Sequence, residues 1–99
     1  MSCGGFKPAV KADADVQGII DSVKAEVETK TGSSFAVYEA LSYSTQVVAG
    51  INFIIKTKIN NDGVCIHIKI HKPLPHTRQP PSLMDVSMNH TVDSEVAPW

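Results

Sequence analysis

Hydrophobic positions recur every three or four residues in the first third of the chain. Between about Ala14 and Thr31, the valines and isoleucines at positions 16, 19, 20, 23 and 27 fall on one helical stripe. Asp13 or Asp15 can cap the start of this segment, and Gly32 is a natural stop. The pattern therefore predicts one amphipathic helix whose apolar face packs against a core.

The pattern then changes to a period of two, which is typical of strands with one buried face. Alternating apolar residues mark three successive stretches: Phe35, Val37, Leu41 and Tyr43; then Phe53, Ile55 and Ile59; then Val64, Ile66, Ile68 and Ile70. Asn61-Asp62-Gly63 predicts a tight hairpin before the last stretch, since these residues tolerate positive φ. Residues 6–10 and 82–89 are compatible with further short strands. The order predicts an α+β fold, with one helix across an antiparallel meander.

Length and composition set the outer limits. The 99 residues fit a single domain, residues 1–99. The net charge is −1 and no basic run occurs, which argues against a nucleic-acid partner. No apolar run approaches the roughly 18 residues of a membrane-spanning helix, so no membrane partner is expected. With only Cys3 and Cys65, a disulfide stays possible, but a reducing compartment is favoured.

Two predicted turns break the usual rule for exposed hairpin tips, which favour Gly, Asn, Asp, Ser or Pro. Gln46-Val47-Val48-Ala49-Gly50 places apolar residues where the chain must reverse, and Pro73-Leu74-Pro75-His76 places Leu74 where no interior is evident. In an up-and-down meander alternate turns share one end of the sheet, so these two tips are predicted to be neighbours and a candidate binding edge. The alternatives are that Val47 and Val48 continue a buried strand, and that Leu74 packs back onto the domain.

At these residues the sequence resembles the stefins, the single-domain cystatins of the cystatin A and B kind. The pentapeptide from Gln46 to Gly50 matches the family's central loop, and Leu74-Pro75-His76 matches its second loop. Met1-Ser2-Cys3-Gly4 matches the family's start. The resemblance extends from Met1 to about Pro80.

The resemblance implies a cystatin fold, in which one long α-helix packs across a curved antiparallel sheet of four to five strands. It also implies reversible, tight-binding inhibition of papain-like cysteine proteases such as cathepsins, without enzymatic activity and without a cofactor. The protease-binding residues carried over are those of a flexible trunk (residues 1–5) and two loops: Gly4, Gln46, Val47, Val48, Ala49, Gly50, Leu74, Pro75 and His76.

The resemblance also implies a cytoplasmic or nuclear location and a monomer, with a dimer formed by strand exchange through the first loop as an alternative. Departures from the family pattern begin at Thr77, where relatives usually carry an acidic residue. Residues 81–99 diverge and end in Pro98-Trp99, which leaves the last strand unassigned.

Three other functions fit the residues less well. A catalytic Cys3 or Cys65 lacks an activating motif. His67 and His71 would be about 13 Å apart on one strand, too far for a shared zinc ion, and are expected to be exposed strand histidines. The third alternative is a cystatin-fold interaction protein without inhibitory activity.

Overall fold

The computed structural model describes residues 5–99. Within them, five strands form one antiparallel sheet in sequence order, and two helical segments pack on one face. In chain order the elements are β1 (Val10–Lys11), α1 (Ala14–Ser22), α2 (Lys24–Thr31), β2 (Glu39–Val48), β3 (Gly50–Lys58), β4 (Val64–Lys72), a 3-10 helix (Pro75–Thr77) and β5 (Ser82–Thr91). The α+β architecture is the predicted one, and the divergent C-terminal region does supply a last strand.

The helical region has its predicted limits but is interrupted once. At Val23, φ and ψ are −113° and 10°, and the Val23 amide donates to Ile20 O, three residues back, at 3.2 Å. The helix resumes at once, because the Val27 amide donates to Val23 O at 2.9 Å. Neither segment is long and apolar enough to cross a membrane, and the same holds for any other helix in residues 5–99.

Asp13 caps the start of α1, where its Oδ1 accepts the Val16 amide proton at 3.0 Å. We expect Asp13→Ala to lower the free energy of unfolding by about 1 kcal/mol, because the capped amide loses its partner. Urea denaturation measures the loss. Asp15→Ala is the control, since Asp15 lies in the first turn and should contribute only about 0.3 kcal/mol through the helix dipole. Equal losses would show that the cap bond is unimportant.

The core lies between the helices and the adjacent face of the sheet. The alternating residues of the central strands point into it, as predicted. It consists of Val16, Ile19, Ile20, Val23, Val27, Phe35, Phe53, Ile55, Ile66, Ile68 and Ile70. This packing fixes the register of β3 and β4, because a one-residue slip would turn each apolar set to the other face.

Phe35 and Val37 were predicted to start the first long strand, but both precede β2, which begins at Glu39. The alternation there reflects a packed loop. The Phe35 amide donates to the Glu28 carboxylate at 2.9 Å, and the Phe35 ring stacks on that of Tyr38 with centroids 5.9 Å apart. These tertiary contacts replace strand pairing, and a period-two pattern does not distinguish the two.

The opposite face of the sheet, called here the outer face, is also covered. Ile54, Cys65 and His67 lie on it and are all buried. His67 is only 1% exposed, so the expectation of an exposed strand histidine is wrong at this position. The His67 ring stacks on that of His90 in β5, and residues outside the regular elements also bond to this face.

Residues 92–99, called here the C-terminal tail, run back along the outer face. Lys56 Nζ donates to Val92 O at 2.6 Å at one end of the tail. At the other end Lys69 Nζ donates to Trp99 O at 2.7 Å, and the Trp99 indole N–H donates to Asp85 Oδ2 at 2.8 Å. Lys69 Nζ also lies 4.7 Å from the centre of the indole ring. The tail is thus fastened to β3, β4 and β5.

Candidate functional site

The first apolar tip lies where β2 turns into β3. Val48 pairs with Gly50 and Val47 pairs with Ile51, so the chain reverses at Ala49. Val47 is 59% exposed and Val48 42% exposed. The structure therefore places the reversal inside the pentapeptide, and the alternative of a buried strand that continues through Val47 and Val48 is wrong.

The second apolar tip follows β4. Pro73 ends the strand, and the 3-10 helix then turns the chain, with the Thr77 amide and hydroxyl both donating to Leu74 O at 3.0 and 2.7 Å. Leu74 is 39% exposed, and Pro75 and His76 are exposed as well. Because Leu74 keeps so much of its surface in solvent, the alternative in which it packs back onto the domain is wrong.

The two tips lie side by side at one end of the sheet, as strand order predicted. At Gly50, φ is 111°, and a Cβ there would collide with the Lys72 carbonyl oxygen and lie 3.2 Å from Pro73 Cα. Only glycine allows both the positive φ and the close approach. A shallow groove between the tips is lined by Val47, Val48, Ile51, Leu74 and Pro75, among others.

Gly4 and the rest of residues 1–4 lie outside the described residues. The segment that follows them is fixed to β2, since the Lys7 amide donates to Thr45 O at 2.9 Å and Lys7 O accepts a hydrogen bond from the Ser44 hydroxyl. Val10 pairs with Tyr43, farther from the tip. Traced backwards, this segment therefore runs along β2 toward the end of the sheet that carries the tips.

Gln46, Asn52 and His71 form a row of polar side chains at the base of the tips, and sequence analysis connected none of them with the others. Asn52 Nδ2 donates to Gln46 Oε1 at 2.9 Å, and His71 Nδ1 lies 2.7 Å from Asn52 Oδ1. The signal was available in the sequence. Gln46 and Asn52 are equidistant from Ala49, so a hairpin that reverses there must pair them.

The residues at the tips do not form a catalytic or metal centre. Cys65 lies near the Gly63 end of β4, away from the tips, and burial raises the pKa of its thiol. A buried thiol of raised pKa is a poor nucleophile. Within residues 5–99, no three His, Cys, Asp or Glu side chains are placed to hold a metal ion. What the site offers instead is an exposed apolar edge.

Comparison with known proteins gives a consistent result. A model of the cystatin domain matches residues 4–93. Cystatin-B of Mus musculus is 34% identical over 97 residues, covering 98% of both chains. Stefin-C of Bos taurus is 36% identical over 93 residues, covering 94% of this chain and 91% of the relative. Cystatin-A1 of Sus scrofa is 36% identical over 96 residues, covering 97% and 92%.

Proposed function

Because this chain belongs to the cystatin family, we propose that it is a reversible, tight-binding inhibitor of papain-like cysteine proteases such as cathepsins. The family consists of cysteine protease inhibitors and not of enzymes. The observation that carries the proposal is the pair of exposed apolar tips, held side by side by the contact of Gly50 with the Lys72–Pro73 backbone.

In the proposed complex, the two tips enter the protease cleft as a wedge. Val47, Val48 and Ala49 supply the first loop, with Gln46 and Gly50 shaping it, and Leu74, Pro75 and His76 supply the second. The trunk up to Gly4 completes the wedge. The tips lie against the cleft on either side of the catalytic cysteine without presenting a bond for cleavage, so the chain is released intact.

Burial of the tip side chains alone does not account for tight binding. Full burial of Val47, Val48 and Leu74 is worth roughly 5–9 kcal/mol, at about 1.5–3 kcal/mol each. Association costs on the order of 4–15 kcal/mol. The remainder must come from the trunk, from backbone hydrogen bonds and from tips that lose little freedom on binding. Pro73, Pro75 and the tight turn at Ala49 restrict the freedom of the tips before binding.

We propose a cytoplasmic or nuclear location and a monomeric inhibitory form. Cys65 is a buried thiol without a disulfide partner within residues 5–99, which suits a reducing compartment. A dimer formed by strand exchange through Ala49 would open the first tip, so exchange and inhibition should compete.

We expect the purified chain to titrate papain to inactivity at a fixed molar ratio. Activity should return on dilution with competing substrate, and the chain should run intact on a gel after the incubation, because the wedge is not cleaved. A folded preparation that leaves papain fully active at micromolar excess would refute the inhibitor function and favour a non-inhibitory interaction protein. Progressive cleavage of the chain would instead identify a substrate.

A further inference from the structure

Three side chains form a continuous hydrogen-bonded row across the outer face, one residue pair below the tips. In the sheet register Gln46 is directly opposite Asn52, and Asn52 is directly opposite His71. Directly opposed side chains on one face of an antiparallel pair are within contact distance. The row therefore links β2, β3 and β4 at the point where each strand enters or leaves a tip.

The hydrogen bonds in this row have a fixed direction. Asn52 donates through Nδ2 to Gln46 Oε1 at 2.9 Å, which directs its Oδ1 toward His71 Nδ1 at 2.7 Å. With the Asn52 amide in this orientation its oxygen accepts, so His71 Nδ1 is the donor and carries the proton. The neutral ring protonated on Nδ1 and the imidazolium both satisfy this requirement, and the tautomer protonated only on Nε2 does not.

His71 also lies close to the first tip. Its Cε1 lies 3.1 Å from the position that a Cβ of Gly50 would occupy. The next residue along β4 is Lys72, whose carbonyl oxygen abuts Gly50 and whose chain continues into Pro73. The imidazole is thus placed between the reversal at Ala49 and the start of the second tip.

We propose that His71, acting through Asn52 and Gln46, is the positioning residue that holds the two tips in their binding geometry. The inference rests on the proposed inhibitory function and deepens it. A side chain that binds no protease can still increase affinity, because preorganised loops lose less freedom when they bind.

The test compares papain inhibition by the unaltered chain with inhibition by His71→Phe, His71→Gln and His71→Glu. Phe keeps a planar ring but cannot donate, and Glu at neutral pH only accepts, whereas the Gln amide can donate to Asn52 Oδ1. We expect inhibition to weaken by about tenfold in the Phe and Glu variants. This factor corresponds to the upper end of the typical net contribution of one hydrogen bond. We expect the Gln variant to stay within about threefold of the unaltered chain.

Two readouts separate positioning from general loss of structure. Positioning predicts that the weakening appears mainly as slower association, since the tips must first reach the binding geometry. It also predicts that His71→Glu recovers as the pH falls toward 4, because a protonated carboxyl donates. Glu39→Gln, at an exposed position at the opposite end of β2, controls for unspecific changes on the sheet.

The outcomes separate the two proposals. If the unaltered chain inhibits papain and all three His71 variants inhibit equally well, the inhibitor function stands and the positioning role is refuted. A Gln variant as weak as the Glu variant also refutes it. If the Phe variant does not fold, as judged by circular dichroism, the comparison of papain inhibition by the Gln and Glu variants decides. An unaltered chain without inhibitory activity overturns both proposals.

Discussion

Replacing Val48 with aspartate is expected to weaken papain inhibition by at least about a hundredfold. Val48 is at the first tip, 42% exposed in the free chain, and pairs with Gly50 across the reversal. In the proposed complex its side chain is buried against the protease. The free chain should tolerate the change, because the side chain is already partly in water.

Two terms add up to this loss. The valine forfeits about 1.5–3 kcal/mol of burial. The carboxylate must in addition be desolvated without a partner, which costs at least a further 1–3 kcal/mol and more for a full charge. Since about 1.4 kcal/mol corresponds to a factor of ten in Kd, a combined loss near 3 kcal/mol gives the hundredfold minimum. Inhibition constants against papain, measured alongside urea denaturation of each variant, test the prediction.

The same substitution at the other end of the sheet provides a matched control. Val64 begins β4 beside the Gly63 turn and is 37% exposed, close to the value for Val48. Val64→Asp should leave the inhibition constant within about twofold, since it alters a similar side chain away from the wedge. Equal weakening by both variants, or none by Val48→Asp, would exclude the first tip from the interface.

The sequence predicted the parts of the site that depend on local rules. A hairpin tip made of Val47, Val48 and Ala49 contradicts turn chemistry, so its exposure implies a function outside the fold. The position of the second tip followed from counting turns along a meander. The polar turn at Asn61-Asp62-Gly63 was also predicted. Asn60, which was not part of that prediction, contributes to the turn, because its Oδ1 accepts the amide protons of Asp62 and Val64 at 2.9 and 3.1 Å.

What the sequence did not reveal depends on contacts between distant segments. His67 alternates with isoleucines, which predicts a solvent-facing side chain unless something else covers that face. Cover comes from the His90 ring of β5, which stacks on His67, and the C-terminal tail is fastened to the same face by Lys56 and Lys69 through carbonyl groups that any residue could supply. Backbone acceptors leave no pattern in the sequence. The loop at Phe35 was misassigned for a related reason, since its amide bonds to the Glu28 carboxylate on the preceding helix, and a period-two pattern does not show such a contact.

The buried position of His67 leads to the second large prediction, a loss of stability in acid. Its ring stacks on that of His90, with centroids 3.7 Å apart and planes within 3°, and its Nε2 is buried without a hydrogen-bond partner within residues 5–99. Burial, together with smaller contributions from the neighbouring His90 and Lys56, lowers the pKa of His67 to about 4. Protonation would therefore put an unpaired charge into a buried layer that already holds the Lys56 ammonium.

The other groups that face His67 offer little compensation. From β3 it faces the Lys56 ammonium, which is already bonded to Val92 O, and from β5 it faces His90, whose Nε2 is bonded to the Ser87 hydroxyl at 2.7 Å. Its own strand contributes the thiol of Cys65. Asp93 and Glu95 of the tail form no ion pair with it within the described part of the chain.

The sign of the effect follows from the two pKa values. An unfolded histidine titrates near 6.5, so between about pH 6.5 and pH 4 the unfolded chain binds the proton and the folded chain does not. The free energy of unfolding should thus be highest above pH 6.5 and fall by about 2 kcal/mol at pH 5 and about 3 kcal/mol below pH 4. Asp85, whose pKa is lowered by its bond with Trp99, loses its contribution only below about pH 4, outside this window.

Urea denaturation at several pH values between 7 and 4.5 tests this prediction. Trp99 is the single tryptophan, and it belongs to the tail that is fastened to the outer face, so its fluorescence reports on that face as well as on unfolding. His67→Phe keeps a flat ring for the stack but cannot bind a proton, so its stability should change little from pH 6.5 to 4.5. His76→Phe, at an exposed histidine, should decline as the unaltered chain does. A decline in His67→Phe equal to that of the unaltered chain would assign the acid sensitivity to other groups.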